Sequence, residues 1–378
     1  MADYTFIIHT PQELNHSSYV QTGLFELKQQ GIIDVKVVLS LKAYRGRIQV
    51  VDSGKVRQTK QANPKVSYYT LINAKTGNNI RFACDLYDHS EVFSEAALQS
   101  CDFYFKRHYV SRYIQSLPEH YQNKIHPLGL TFGVTSPYAK NQIIFFYGLL
   151  LSNLGVNLKL DRLLFKRLMN TYNAQMKHWS FIKTTRSLTQ FEAYNRPISK
   201  TVLFQTRCFP EKNEDVIAMH QQRYHIIKLL RQIYPEQFQG GFIPSEGVNS
   251  KYKDALSNVP SEPHAYLEAM KQAGIVIYTR GLANSPAWKL AEYLSQGKVI
   301  IAEPLTTELV EPLQHGVHLL YFNTDEELVS HINTVLSDAV LFDTLSKNAR
   351  HYFEMHVHPT KNIKRILDCM ILNPKASF

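Results

Sequence analysis

Short apolar runs alternate with longer stretches of mixed polarity from the first residues of this chain. Tyr4 to His9 (YTFIIH) reads as a strand, Ser17 to Gln30 as a helix, and Val35 to Leu39 as a second strand. Between Arg47 and Lys75 the valines and the run VSYYTLI indicate one or two strands broken by polar turns. Ile80 to Cys84 is a compact apolar strand ending at Asp85, and Phe103 to Phe105 is another after a short helix. Such alternation marks a parallel α/β domain. From Leu149 to Asn195 the pattern turns helical and basic. NRPISK then gives way to the buried-strand run Thr201 to Gln205, which puts a domain boundary near residue 197. Beyond it the alternation resumes: VLFQT, a helix over Ala218 to Tyr234, QGGFI, a helix over Ala265 to Gln272, and IVIYT. A helix over Ala287 to Gln296, VIIAE and helices through Leu345 follow. This is the pattern of a second doubly wound domain. The spacing in HVHPTKNIKRILDCMIL predicts a last packed helix.

Length agrees with two domains, since 378 residues exceed what one core usually holds. With 44% hydrophobic and 20% charged residues, the chain is neither disordered nor fibrous. Its net charge of +10 attracts polyanions. The basic residues are spread out and no RNA-binding or zinc-finger spacing occurs, so nucleic acid is set aside. A phosphate-rich small substrate, or peripheral contact with an anionic membrane, fits better. Cys84, Cys101, Cys208 and Cys369 form no CxxC pair, which suits a reducing cytosol. No signal peptide is expected, and Ile143 to Leu151 (IIFFYGLLL) is too short to span a bilayer. The expected location is cytoplasmic, at most peripheral to the inner face of the membrane.

The main chemical signal is IVIYTRGLANSPAWKLAEYLSQGKVIIAEP. Ser285 is placed to cap a helix and Pro286 to occupy its first position. Ala287, Leu290, Ala291 and Leu294 form a buried stripe; Ser285, Lys289 and Glu292 share another face, and Gly297 ends the helix. A solvated pair between Lys289 and Glu292 is one explanation. The other is a ligand site, because the helix starts at the C-terminal edge of a parallel sheet. Free N–H groups there, with Arg280 and Lys289, favour phosphate, and a carboxylate deeper in the helix can accept from sugar hydroxyls.

The segment SPAWKLAEYLSQGKVIIAEPL resembles the donor-binding stretch of bacterial GT-B glycosyltransferases, in the broad group that includes the Glu-x7-Glu enzymes. The strand VIIAEP, the run GVHLLYF and the helix start TDEEL continue the likeness over roughly residues 200 to 360. The resemblance implies two Rossmann-like doubly wound domains facing across a cleft. They would be an acceptor-binding domain over 1–196 and a donor domain over 197–355, with 356–378 crossing back to the first. Glu292 matches the motif's second glutamate, which implies a ribose contact; Asn284 stands where the first would be. The implied activity is metal-independent transfer of a sugar from a nucleotide-sugar to a saccharide or lipid-linked acceptor, in synthesis of a bacterial surface polysaccharide such as lipopolysaccharide or capsule. The nucleotide sugar is a co-substrate, and no cofactor is implied.

Arg207, after VLFQT, stands where such enzymes place a basic residue on the donor diphosphate; the alternative is a surface pair with Glu211 or Glu214. Arg223 is a second donor-side candidate, and Gly240-Gly241 reads as a turn. In the first half, Asp85 and Asp88 sit just past a strand, where a general base or acceptor-hydroxyl anchor would lie. Asp88 or Ser90 could instead cap the following helix. Lys106 and Arg107, His9, and Thr22 with Gly23 are acceptor-side candidates. No Asp-x-Asp flanks an apolar strand, which argues against a metal-dependent GT-A enzyme, so no metal ligands are assigned. The rivals are a non-catalytic nucleotide- or sugar-binding module of the same shape, an epimerase, and a dehydrogenase that lacks the GxGxxG fingerprint.

Overall fold

The computed structural model describes residues 2–39, 44–51, 53–139, 144, 147–148, 150–151, 162–194, 199–211, 213–245 and 251–372. The boundary expected near residue 197 lies outside them. Contacts divide the chain into two compact α/β units. One comprises Met1–Leu188, Thr307–Val310 and His356–Phe378; the other comprises Thr189–Thr306 and Glu311–Met355.

The first unit holds a six-stranded sheet of β1 (Tyr4–His9), β2 (Asp34–Val38), β5 (Val66–Asn73), β6 (Asn79–Asp85), β8 (Phe103–Lys106) and β9 (Ile125–Pro127), ordered β2-β1-β5-β6-β8-β9. A separate antiparallel sheet, β4-β3-β7, uses Val56–Thr59, Arg47–Val50 and Val92–Ser94. The large sheet is parallel except where β5 meets β1 and β6. That strand departs from the all-parallel domain expected. Its link to β6 is too short for a crossover, which needs a dozen residues or more, so the pair closes as a hairpin. The N-terminal end of β5 therefore lies beside the C-terminal end of β6, with Val66 opposite Asp85.

Helix α1 (Leu14–Gln29) links β1 to β2, and α2 (Glu95–Ser100) is capped by Ser94, whose Oγ accepts from Ala97 N at 3.3 Å. The longest helix among the described residues, α3, spans Leu164–Thr184. The chain's last helix, α9 (Pro359–Leu372), packs on α1. Tyr19 Oη donates to Val357 O at 2.6 Å, and Asn362 Nδ2 donates to Tyr19 Oη at 3.1 Å. A Cβ on Gly23 would come within 2.5 Å of Pro359 O and Ile363 Cγ1, so the glycine permits this close crossing.

The second unit is a parallel sheet ordered β11-β10-β12-β13-β14, from β10 (Val202–Thr206), β11 (Phe238–Phe242), β12 (Ile275–Tyr278), β13 (Val299–Ala302) and β14 (Leu320–Tyr321). The connecting and flanking helices are α4 (Glu214–Ile233), α5 (Pro263–Gln272), α6 (Trp288–Ser295), α7 (Asp325–Ser337) and α8 (Ala339–Tyr352). Phe204, Ile227, Leu230, Ile277, Ile301 and Leu328 form part of one buried core. Thr324 caps α7 by accepting from Glu327 N, while Glu327 accepts from Asn323 N. Because the connections from β10 go first to one side and then to the other, the order reverses between β10 and β12. That is where open α/β sheets bind ligands.

Gly240 and Gly241 are not a turn. They lie inside β11 with φ of +127° and +138°. A Cβ on Gly240 would stand 2.1 Å from Phe204 O, and one on Gly241 would stand 2.4 Å from Ala255 O. Gly240→Ala should therefore cost about 3 kcal/mol or more in urea unfolding. Gly77→Ala, also at positive φ but with open space around it, should cost about 1–2 kcal/mol. Equal losses in the two variants would contradict the close approach.

Candidate functional site

At the C-terminal edge of the second unit's sheet, one buried side chain organises two loops. Arg223, 4% exposed on α4, donates from Nη1 to Arg207 O and from Nη2 to Arg280 O, both at 2.8 Å, and from Nε to Thr279 Oγ1 at 3.3 Å. Burial lowers its pKa to about 10, so it stays charged at neutral pH. Three of its five N–H donors go to the loops after β10 and β12, so Arg223 positions both loops.

The loop so held presents Arg207. Its side chain is exposed and makes no hydrogen bond or ion pair among the described residues. Neither expected alternative partner takes it: Glu211 pairs with Lys251 at 2.6 Å, and Glu214 lies in the first turn of α4. Arg280 pairs with Asp215 at 2.8 Å, and its backbone N–H donates to Glu303 Oε2 at 2.7 Å. Glu303 also accepts from Gln222. Sequence reasoning missed Asp215, Thr279 and Glu303. Thr279 and Glu303 directly follow β12 and β13, so the strand-end rule that found Arg207 could have found them.

The start of α6 differs from the expected one. Ser285 is not its cap and Pro286 is not in it. The helix begins at Trp288 after Ala287, which supplies no side-chain cap. Ala283 and Asn284 have left-handed φ of 52° and 58°, ending the preceding turn. Ser285 is buried there, donating its N–H to Leu282 O. Tyr278 Oη accepts from Ala287 N at 2.8 Å, the role expected of Ser285. Lys289 Nζ donates to Gln205 O and sits 4.3 Å above the Tyr266 ring. Glu292 is 4% exposed, so it is not one half of a solvated pair.

In the first unit the C-terminal strand ends gather His9, Asp85, Asp88, Lys106 and Arg107. Asp85 is fully enclosed: Tyr104 Oη and Lys106 Nζ donate to Oδ2, the latter at 3.0 Å, and Asn63 Nδ2 lies at 3.4 Å. Lys106, equally buried, also donates to His89 O and Val92 O. A general base must reach its proton within hydrogen-bond distance, so this pair is structural, which corrects both assignments. Asp88 is 20% exposed and pairs with Lys65 at 2.6 Å and Arg107 at 3.2 Å. Burial opposes its charge, but Arg107 and Lys65 outweigh that and hold the carboxyl below its usual range. It is a weak base and a good hydroxyl acceptor. It caps no helix, Ser94 having that role. His16, missed in the sequence, stands in the same charged group, its pKa lowered to about 3 by burial and then by Lys65.

Each remaining candidate has a contact within the first unit. His9 Nε2 lies 2.9 Å from Thr70 Oγ1. Thr22 donates to Val134 O at 3.1 Å and lines a cavity of about 10 Å³, while Gly23 serves the α1–α9 crossing.

Residues 231–368 match a family model described as glycosyl transferase-like, in line with the resemblance. Among solved structures, a glycosyltransferase from Rickettsia africae is 13% identical with a TM-score of 0.37, covering 71% of this chain and 62% of that one. The chain thus spans less than two thirds of that protein's length. HepE from Anabaena, solved with UDP-glucose, is 14% identical with a TM-score of 0.34, covering 72% and 80%. Sucrose-phosphate synthase from Thermosynechococcus elongatus is 18% identical with a TM-score of 0.30, covering 47% and 46%. These likenesses decide nothing about the reaction. A comparison with curated proteins gave no match.

Arg223→Met should lower unfolding free energy by about 3 kcal/mol, because charge-assisted bonds to two loops are lost. Arg223→Lys should recover little, since one ammonium cannot span the same acceptors. Arg207→Ala should stay within about 0.5 kcal/mol of the parent. Denaturant titration of the three variants checks the division between positioning and exposed residues.

Proposed function

We propose, from the glycosyl transferase-like match over residues 231–368, that this protein transfers a sugar from a nucleotide-sugar to a saccharide or lipid-linked acceptor. The observation that carries the reading is Arg207: an exposed guanidinium without a partner among the described residues, on a clamped loop at the switch point of a parallel sheet. An unpaired arginine there can take a diphosphate without first breaking an ion pair. The N–H groups at the start of α6 add a favourable dipole. In this reading the leaving diphosphate is stabilised by side chains and helix dipole rather than a metal, Glu292 meets the ribose, and Asp88 anchors an acceptor hydroxyl. The work is done in the cytoplasm, on a surface polysaccharide, against the anionic inner face of the membrane. A non-catalytic nucleotide-sugar-binding module is the second reading, favoured by the enclosure of Asp85 and the ion pairing of Asp88.

Calorimetry with UDP, GDP, dTDP and CMP sugars identifies the donor, and turnover of the radiolabelled donor separates enzyme from module. Arg207→Ala should weaken donor binding by about one to two decades with the fold intact. Unchanged affinity would put the phosphates elsewhere.

Glu292→Gln and Glu292→Ala should show graded loss, alanine being worse. A defect seen equally with the bare nucleotide indicates ribose; one seen only with the complete donor indicates the sugar. Parental binding and turnover in a folded Glu292→Ala would end that assignment.

A further inference from the structure

Helix α3 is turned inside out relative to an ordinary surface helix. Its buried residues are Thr171, Gln175 and His178. Phe165, Leu168, Met169, Tyr172, Met176 and Trp179 are exposed instead, with Phe165 at 75% and Tyr172 at 58%. Their spacing puts all six on one stripe. The helix contacts α1, and Phe181 and Ile182 line a cavity with Leu14 and Ser18 of that helix, so the exposed stripe is not the face turned to α1.

Charge says what covers it. From 162 to 191 the chain carries Arg162, Lys166, Arg167, Lys177, Lys183 and Arg186 and no acidic residue, in a protein with 32 acidic residues overall. Lys166, Lys177 and Lys183 are exposed, and Lys183 Nζ lies 4.9 Å from the centre of the Trp179 ring. A second copy on this face would bring two positive stripes together. An anionic lipid surface meets the charge and buries the aromatic and aliphatic side chains, with tryptophan and tyrosine at headgroup level. No described helix is long and apolar enough to cross a membrane, so the contact is one of lying on the surface. We propose that α3 is a membrane-docking helix selective for anionic lipid, with Phe165, Tyr172 and Trp179 as apolar anchors and Lys166, Lys177 and Lys183 as headgroup contacts. This deepens the membrane contact proposed above by naming its surface, and it stands without glycosyl transfer.

The test is co-sedimentation of the full chain with phosphatidylcholine vesicles, with or without one part in three phosphatidylglycerol. Binding should require the anionic lipid and fall with salt. Phe165→Ser with Tyr172→Ser, and separately Lys166→Glu with Lys183→Glu, should each lower partitioning about tenfold or more. Both pairs are exposed, so circular dichroism, monomeric state and nucleotide binding should match the parent. Equal binding to both vesicle types, or parental partitioning in both variants, would overturn the proposal. So would a parental dimer that Phe165→Ser with Tyr172→Ser converts to monomer, which would assign the stripe to a second copy. Nucleotide binding, read on the same samples, separates failure of the lipid surface from failure of the donor site.

Discussion

The second unit's chemistry depends on one buried cation. Without Arg223, the loops after β10 and β12 would lose the one described side chain of α4 that bonds to both at once. Desolvating a guanidinium costs several kcal/mol, and three hydrogen bonds to two neighbouring loops offset that cost. Those acceptors are two backbone carbonyls and a hydroxyl, and the Glu303 carboxylate close by favours the charged form of the guanidinium. It remains beside Arg207, whose backbone is held while its side chain is free to meet an anion.

The glycines of β11 impose a second constraint on the same sheet. Gly241 pairs with Gln205 across the β10–β11 ladder, and Gln205 Nε2 donates to Val259 O at 2.6 Å while its own carbonyl receives Lys289. The absence of a side chain at Gly241 lets the 255–257 segment lie against the strand, and at Gly240 it lets Phe204 O approach. The cation over Tyr266 and the carbonyl of Gln205 are thus held by main-chain packing as well as by side chains.

Strand positions were legible because buried parallel strands are short continuous apolar runs, and Tyr4–His9 and Val202–Thr206 fall where those runs lie. The strand-end rule also found Arg207, Asp85 and Asp88. What it could not see was register. Asp85 pairs in the ladder with Lys106, so two residues that each looked chemical neutralise one another. Lys65 escaped notice because it precedes a strand. Only the reversal of β5 brings that end to the edge where Asp88 lies. Ser285-Pro286 carried a true capping signal but lost to the left-handed Ala283 and Asn284 and to Tyr278, a competitor from the preceding strand.

The two sheet edges carry similar residue types and differ in how their charges are paired. In the first unit Lys65 and Arg107 share Asp88, and Lys106 is closed on Asp85. A phosphate arriving there must compete with carboxylates already in place, and breaking a partly buried pair strands the group left behind. In the second unit Arg280 is likewise engaged by Asp215, but Arg207 makes no ion pair among the described residues. An anion at the second edge would therefore meet a cation with no ion pair to break, which is why the proposed donor site is placed there, although both edges are basic. Net charge alone would have made them equal; pairing decides between them.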